Sequence, residues 1–232
     1  MDKIKKGKVS IYLQDDKYRG LAEVILQGDY KVIKVLKNDQ RSRVKLIEYE
    51  QEKLVLKIPL EKNRRRWQRF LSAFRGSSSK REYENCLKIL SEGFLGAKPV
   101  LVIDKKIGPF VKESCFVSNF IEGQEGNFQH LKEIGEELNK IHNAGYLHGD
   151  SQLVNFMVSN EEIYLIDCKL QKNIFGKFGS RYEFIYLEES CPKKIDIYRK
   201  DDLYYRGAKL LNSYLHWWGR TRKKLKGKEL TK

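Results

Sequence analysis

The hydrophobic period changes midway along this chain, and that change constrains the fold more than any other feature. Between Lys31 and Leu60 apolar and charged residues alternate, which puts successive side chains on opposite faces of a sheet. The alternation predicts three strands, Lys31 to Lys37, Arg43 to Tyr49 and Lys53 to Leu60, joined as an antiparallel meander by turns at Asn38-Asp39-Gln40 and Glu50-Gln51-Glu52. Lys8 to Leu13 reads as an edge strand, Asp16 to Gly28 as a short helix, and Pro99 to Asp104 with Ser114 to Ile121 as a further strand pair. Ser77-Ser78-Ser79 supplies an N-cap for a helix over Lys80 to Ser91, which Gly93 ends.

From Phe128 the period is helical. Leu131, Ile134, Leu138 and Ile141 line one face of a helix running to Asn143, and Gly145 stops it. Two short strands, Asn155 to Ser159 and Glu162 to Ile166, face each other across an Asn-Glu turn, and a last long helix over Asp201 to Trp218 repeats Leu210, Leu211, Tyr214, Leu215 and Trp218 on one face. A strand-rich lobe, residues 1–121, followed by a helix-rich lobe, residues 122–232, is an α+β arrangement expected to leave a cleft where the lobes meet near Glu122-Gly123.

Composition narrows the class. With 46 Lys+Arg against 31 Asp+Glu the chain carries +15, a charge that opposes compaction unless a negative partner relieves it. At 12% aromatic it is too rich in rings for intrinsic disorder. Uncharged runs reach about ten residues, as in Leu210 to Gly219, well short of the roughly 20 a bilayer-spanning helix needs. Met-Asp-Lys-Ile-Lys-Lys-Gly-Lys has no apolar stretch behind its charges, so it is not read as a secretory signal, and a cytosolic chain is expected. Cys86, Cys115, Cys168 and Cys191 show no metal or disulfide spacing and are expected to be reduced, mostly buried thiols.

The residues with chemical potential gather in Tyr146-Leu-His148-Gly149-Asp150-Ser-Gln-Leu-Val-Asn155-Phe and Tyr164-Leu-Ile-Asp167. Asn155 starts one strand of the hairpin and Asp167 ends the other, so pairing brings their oxygens together, a hard-oxygen clamp suited to Mg²⁺ bridging nucleotide phosphates. Asp150, five residues before Asn155, is placed to accept the proton of an attacking hydroxyl. His148 reads as a structural residue bonded to backbone, and His130, His142 and His216 as structural residues without a partner pattern.

His-Gly-Asp, Asn five residues on and Asp twelve further resembles the signature of the protein-kinase-like phosphotransferases. The resemblance implies a two-lobed fold with a small antiparallel β-rich N-lobe and a short helical C-lobe, with ATP and Mg²⁺ as cofactors. It implies that Asp150 orients and deprotonates the acceptor, that Asn155 and Asp167 hold the metal, and that Lys57 of Leu54-Val-Leu-Lys57-Ile positions the phosphates. Glu82, or else Glu84, is implied as the helix partner of Lys57, and Glu122 at the lobe boundary as a further nucleotide contact. Two departures stand out. Asn38-Asp39-Gln40-Arg41-Ser42 replaces the glycine-rich loop, leaving weaker backbone cradling with Arg41 or Arg43 as substitutes, and Asp167 is followed by Cys168-Lys169-Leu170 with no Ala-Pro-Glu element, which speaks against activation-loop control.

Along nearly its whole length the chain is similar to the bacterial lipopolysaccharide core heptose kinases, a branch related to the 3-deoxy-manno-octulosonic acid kinases. The shared features are the short glycine-poor N-lobe, Val-Leu-Lys57-Ile, Gly-Asp-x-x-x-x-Asn-Phe, the Ile-Asp strand end and a basic tail from Arg220 to Lys228. Many members carry Pro-His-x-Gly where this chain has Ser151-Gln152-Leu153-Val154, which bears on the acceptor rather than on Asp150 and Asn155. The resemblance implies a lipopolysaccharide core glycolipid as acceptor; a small atypical protein kinase, a 3-deoxy-manno-octulosonic acid kinase and a non-catalytic docking module are the rivals. From Lys62 to Arg81 there are eight basic residues and no acidic one, with Trp67, Phe70, Leu71 and Phe74 at helical spacing. Such a basic amphipathic helix, with the tail, suits an anionic membrane surface and a cytoplasmic protein peripheral to the inner membrane. No nucleic-acid motif appears, and no nucleic-acid partner is expected.

Overall fold

In the computed structural model, which describes residues 2–60, 72 and 75–225, the alternating first half pairs into one seven-stranded antiparallel sheet. Its strands are β1 (Asp2–Lys6), β2 (Val9–Leu13), β3 (Lys31–Asn38), β4 (Arg43–Tyr49), β5 (Glu52–Ile58), β6 (Pro99–Ile107) and β7 (Phe110–Asn119), in the order β1-β2-β6-β7-β5-β4-β3. The expected meander is β3 to β5, and its second turn closes with Glu50 and Gln51 both at positive φ (47° and 67°), the twist that tight hairpins require. The segment expected to be an edge strand is not one: β2 is covered by β1, because Gly7 at φ 60° folds the lysine-rich N-terminus back and Ile4 pairs with Ile11. The true edges are β1 and β3. Lys31, Lys34, Lys37 and two register shifts mark β3, whose residues are all exposed, and such features discourage pairing with another chain.

The two faces of the sheet carry different helices. Ile11, Leu13, Ile47, Leu54, Leu56, Leu101, Ile103 and Val117 point to the side covered by Leu21 and Ala22 of α1 (Arg19–Gln27). Full burial of an aliphatic such as Leu13 or Ile47 contributes about 1.5–3 kcal/mol. On the other face Tyr12, Val102 and Phe116 meet the fully buried Tyr83 of α2 (Ser78–Ser91), whose ring stands edge-on to Phe116 at 6.4 Å. Lys57 lies opposite Phe116 in the β5–β7 ladder, and residues directly opposite share a face, so the pleat turns Lys57 toward the α2 side. Ser77 caps α2 by accepting from the Lys80 amide at 2.9 Å. Lys80 and Arg81, the end of the basic run, therefore belong to α2. The amphipathic stretch through Trp67, Phe70, Leu71 and Phe74 lies outside the described residues.

The chain divides by contacts into two units, Met1–Glu122 and Gly123–Lys232. The second is built from α3 (Leu131–Asn143), whose apolar stripe Leu131, Ile134, Leu138 and Ile141 is buried, a three-stranded sheet and two further helices. The sheet joins β8 (Gln124–Glu125), β10 (Phe156–Ser159) and β11 (Glu162–Leu165); β9 (Tyr146–Leu147) pairs with β12 (Gln171–Lys172). Helix α4 (Lys177–Glu189), absent from the sequence expectation, packs on α5 (Leu203–Leu225). The stripe Leu210, Leu211, Tyr214, Leu215 and Trp218 does not face the core: these residues are exposed, and α5 buries Ala208 and Asn212 instead. Phe184, Ile185 and Leu187 of α4 already fill the interior. None of the four cysteines is in a disulfide, but only Cys168 is buried.

Candidate active site

In the helical unit, β9 delivers the chain into the loop His148-Gly149-Asp150. Gly149 sits at φ 80°, and a Cβ there would come within 3.2 Å of Lys169 backbone and side chain, so the turn that presents Asp150 needs glycine. The loop is clamped by a residue with no place in the sequence expectation. Glu183 of α4, 5% exposed, accepts hydrogen bonds from the His148 amide at 2.9 Å and the Gly149 amide at 2.5 Å, and His142 Nε2 lies 3.0 Å from the same carboxylate. Ser151 Oγ donates to the Glu183 carbonyl at 2.8 Å, and the Leu153 amide donates to Ser190 Oγ at 3.0 Å. An acid enclosed by Tyr182 and Phe184-Ile-Tyr-Leu was the available signal. His142 and His216 are not partnerless, since the latter meets Glu189 at 3.0 Å.

The hairpin expected around Asn155 and Asp167 forms, with Asn155 just before β10 and Asp167 just past β11. The Ile166 amide donates to the Asn155 carbonyl at 3.0 Å, and the turn residues Asn160 and Glu161 have φ 49° and 65°. Asn155 Nδ2 donates to the Asp150 carbonyl at 2.8 Å, which assigns the amide and leaves its oxygen for another partner. Asp167 is held at φ 50°, an uncommon conformation for a non-glycine residue that recurs where geometry serves function. The Asp150 carboxylate accepts from Gln152 Nε2 at 3.2 Å, and the same nitrogen lies 2.8 Å from the Tyr186 hydroxyl. His148 is fully buried, its ring 4.7 Å from that of Phe156. Burial pushes its imidazole down to about 4, overcoming the upward pull of Glu183, Asp150 and Asp167. It is neutral near pH 7 and structural.

In the strand-rich unit Lys57 Nζ meets Glu82 Oε1 at 2.7 Å, both side chains half-buried. Glu84, one residue past Tyr83 on α2, pairs instead with Lys80 at 3.3 Å. The helix carrying Glu82 is anchored beneath its first turn by Ser79 Oγ bonded to Ser114 Oγ at 3.0 Å. Glu122, exposed, directs its carboxylate to Lys53, which holds it below the usual carboxylate range. The loop in the place of a glycine-rich one is closed on itself: Asp39 Oδ1 accepts from the amides of Arg41 at 2.8 Å and Ser42 at 2.7 Å, and these bonds lower its carboxyl. Those amides are spent on the loop rather than left for a phosphate.

Among the described residues no three His, Cys, Asp or Glu side chains cluster as a metal site. Asn155 and Asp167 still fit Mg²⁺, which takes one or two protein oxygens and completes its shell with water and phosphate. The free Asn155 oxygen and the strained Asp167 are the observations on which that fit rests.

The chain has an α+β fold of the protein-kinase-like class. The solved structure of WaaP in complex with acyl carrier protein matches it with a TM-score of 0.54 at 13% identity, over 93% of this chain and 98% of that one. The family model for lipopolysaccharide core biosynthesis protein (WaaY) matches residues 1–181, and the chain belongs to that family. The lipopolysaccharide core heptose(II) kinase WaaY of Escherichia coli strain K12 is 28% identical over 172 residues, 71% of this chain and 74% of the relative. A second Escherichia coli protein of that name is 27% identical over 66% of this chain and 70% of its own length.

Proposed function

We propose that this protein is a kinase that transfers the γ-phosphate of ATP to a heptose hydroxyl of the lipopolysaccharide inner core. The observation that carries the reading is Asp150, presented by a glycine turn on a loop clamped by Glu183 and tied to Asn155 through its own carbonyl. The names of the two Escherichia coli relatives support the acceptor. In the proposed step Asp150 takes the proton of the heptose hydroxyl as its oxygen bonds to the γ-phosphorus. The bond from that phosphorus to the β–γ bridging oxygen breaks, and ADP leaves with the electron pair. Asn155 and Asp167 would hold Mg²⁺, which when bound neutralises phosphate charge. Lys57, kept in place by Glu82, contributes a fixed positive charge to the nucleotide phosphates. Glu122 enters through its backbone, its carboxylate being engaged by Lys53.

The reading includes association with the cytoplasmic face of an anionic membrane. No helix among the described residues is long and apolar enough to cross one. Surface attachment is supported by α5, where Leu210, Tyr214, Trp217 and Trp218 are exposed beside Lys209, Arg220 and Arg222. Aromatic rings interleaved with cations suit a headgroup interface.

The test is label transfer from γ-labelled ATP, with Mg²⁺, to core oligosaccharide and separately to protein acceptors. Asp150→Ala is expected to abolish transfer while nucleotide still raises the melting temperature. Full turnover in that variant, or transfer to protein alone, sinks the reading.

A further inference from the structure

A cavity of about 610 Å³ opens within the helical unit directly against Asp150. Its floor is Gly149, Asp150 and Ser151, and Lys169 stands at its edge. Phe178, Tyr182 and Tyr186 fall four residues apart on α4 and so form one aromatic wall, with Leu211 and Leu215 of α5 also lining the cavity. The size is that of ligand pockets generally, about 300–1,000 Å³. Leu211 and Leu215 remain 39% and 44% exposed, apolar surface that a ligand would cover.

The wall has a chemical character. Aromatic faces with hydroxyls at two of the rings, and two carboxylates of which Glu183 is engaged by the loop amides and Asp150 is not, suit a body with an apolar face and a polar rim. A pyranose is such a body, its C–H face lying flat on a ring while its hydroxyls reach Asp150. An extended peptide has backbone donors and acceptors along its whole length, and this mainly apolar wall leaves them unmatched. The wall is also wired to the floor, because the Tyr186 hydroxyl holds Gln152 Nε2 at 2.8 Å and that nitrogen donates to Asp150 Oδ1 at 3.2 Å. Gln152 lies in the segment where the chain departs from the Pro-His-x-Gly pattern.

We infer that this cavity is the acceptor subsite, that Phe178 and Tyr182 are the platform on which the acceptor sugar stacks, and that Gln152, held by Tyr186, is a positioning residue aiming the Asp150 carboxylate into it. The inference rests on the phosphotransfer reading and assigns that site its acceptor half. The two parts separate kinetically. The platform acts on acceptor binding, and the Tyr186–Gln152 pair acts on the geometry of proton removal.

The experiment measures steady-state transfer to core oligosaccharide by the full chain, with hydrogen exchange of the wild-type protein with and without that oligosaccharide. Tyr182→Ala is expected to raise the acceptor KM by about tenfold or more with kcat lowered less than about threefold. Tyr186→Phe is expected to lower kcat by about tenfold while the acceptor KM stays within about twofold. In the wild type, oligosaccharide should slow exchange in peptides spanning 169–186, a readout independent of whether any variant folds. An unchanged KM in Tyr182→Ala, or protection confined to other segments, overturns the subsite. An unchanged kcat in Tyr186→Phe overturns the positioning role. If the wild type protects 169–186 yet transfers no phosphate, the phosphotransfer reading fails and the sugar subsite stands; transfer without that protection leaves the reading and removes the subsite.

Discussion

Glu183 offers the sharpest test of how the loop bearing Asp150 is held. Replacing it by alanine removes the acceptor for two backbone amides and for His142, at a residue 5% exposed. The His148 amide belongs to a residue with no exposed surface, so no water replaces the lost oxygen, and an unmatched buried donor costs about 1–3 kcal/mol. The Gly149 amide is nearer solvent and adds about 1 kcal/mol. Losing the aliphatic stem adds about 0.8 kcal/mol for each buried methylene. Together these give a loss of about 3–5 kcal/mol, large against a typical total stability of 5–15 kcal/mol yet compatible with a folded variant at low temperature. Glu183→Gln keeps one carbonyl oxygen and should lose about half as much. Urea unfolding followed by circular dichroism reads both values. Because Gly149 immediately precedes Asp150, kcat should also fall by about a hundredfold in Glu183→Ala, the scale expected when a catalytic group shifts by an ångström. A stability within 1 kcal/mol of wild type together with kcat within threefold would refute the clamp.

Other expectations concern the remaining charges. Glu82→Gln should cost at most about 1 kcal/mol of stability, since the pair with Lys57 is partly solvated, but should lower kcat/KM for ATP by about tenfold or more. Equal kcat/KM values in wild type and variant would detach the pair from nucleotide handling. His148, held at about 4 in the folded chain against 6.5 unfolded, binds fewer protons folded than unfolded between those values. Its contribution is therefore fully present above pH 6.5 and is lost as pH falls toward about 4, by on the order of 3 kcal/mol. Denaturation midpoints of wild type and His148→Asn at pH 5 and pH 7 check this, and an identical pH dependence in both proteins counts against it. Trp217→Ala and Trp218→Ala should each weaken co-sedimentation with anionic vesicles by about tenfold, with neutral vesicles retaining little protein; undiminished binding in the double variant argues against α5 as the contact.

Much of this protein is local, and what is local was legible. The strand pattern from Lys31 to Ile58, the stripe of α3, the caps at Ser77 and Gly145, and the hairpin that brings Asn155 and Asp167 to adjacent ends follow from side-chain period and turn chemistry. The motif spacing around Asp150 is likewise written along a short stretch of chain. What resisted reading depends on contacts between distant segments. Asp2–Lys6 carries one apolar residue, and it becomes a strand only because Gly7 folds it onto β2. The stripe on α5 has the pattern of a core face, yet α4 had already filled the interior, so the pattern marks a surface.

Glu82 and Glu84 are two residues apart and equivalent in type, and periodicity alone did not choose between them. The rotation of α2, set by Tyr83 buried against Phe116, brings Glu82 to Lys57 and leaves Glu84 to Lys80. Glu183 and Asp150 are separated by a long stretch of chain, and no spacing rule connects them. By itself, then, the sequence determined the elements with a clear period and singled out the candidate side chains, because those properties are governed by neighbours within a few residues. The clamp on the loop, the partner of Lys57, the self-closed Asp39 loop and the aromatic wall beside Asp150 were decided by tertiary packing, since each depends on the direction in which a side chain is held once the helices and sheet have met.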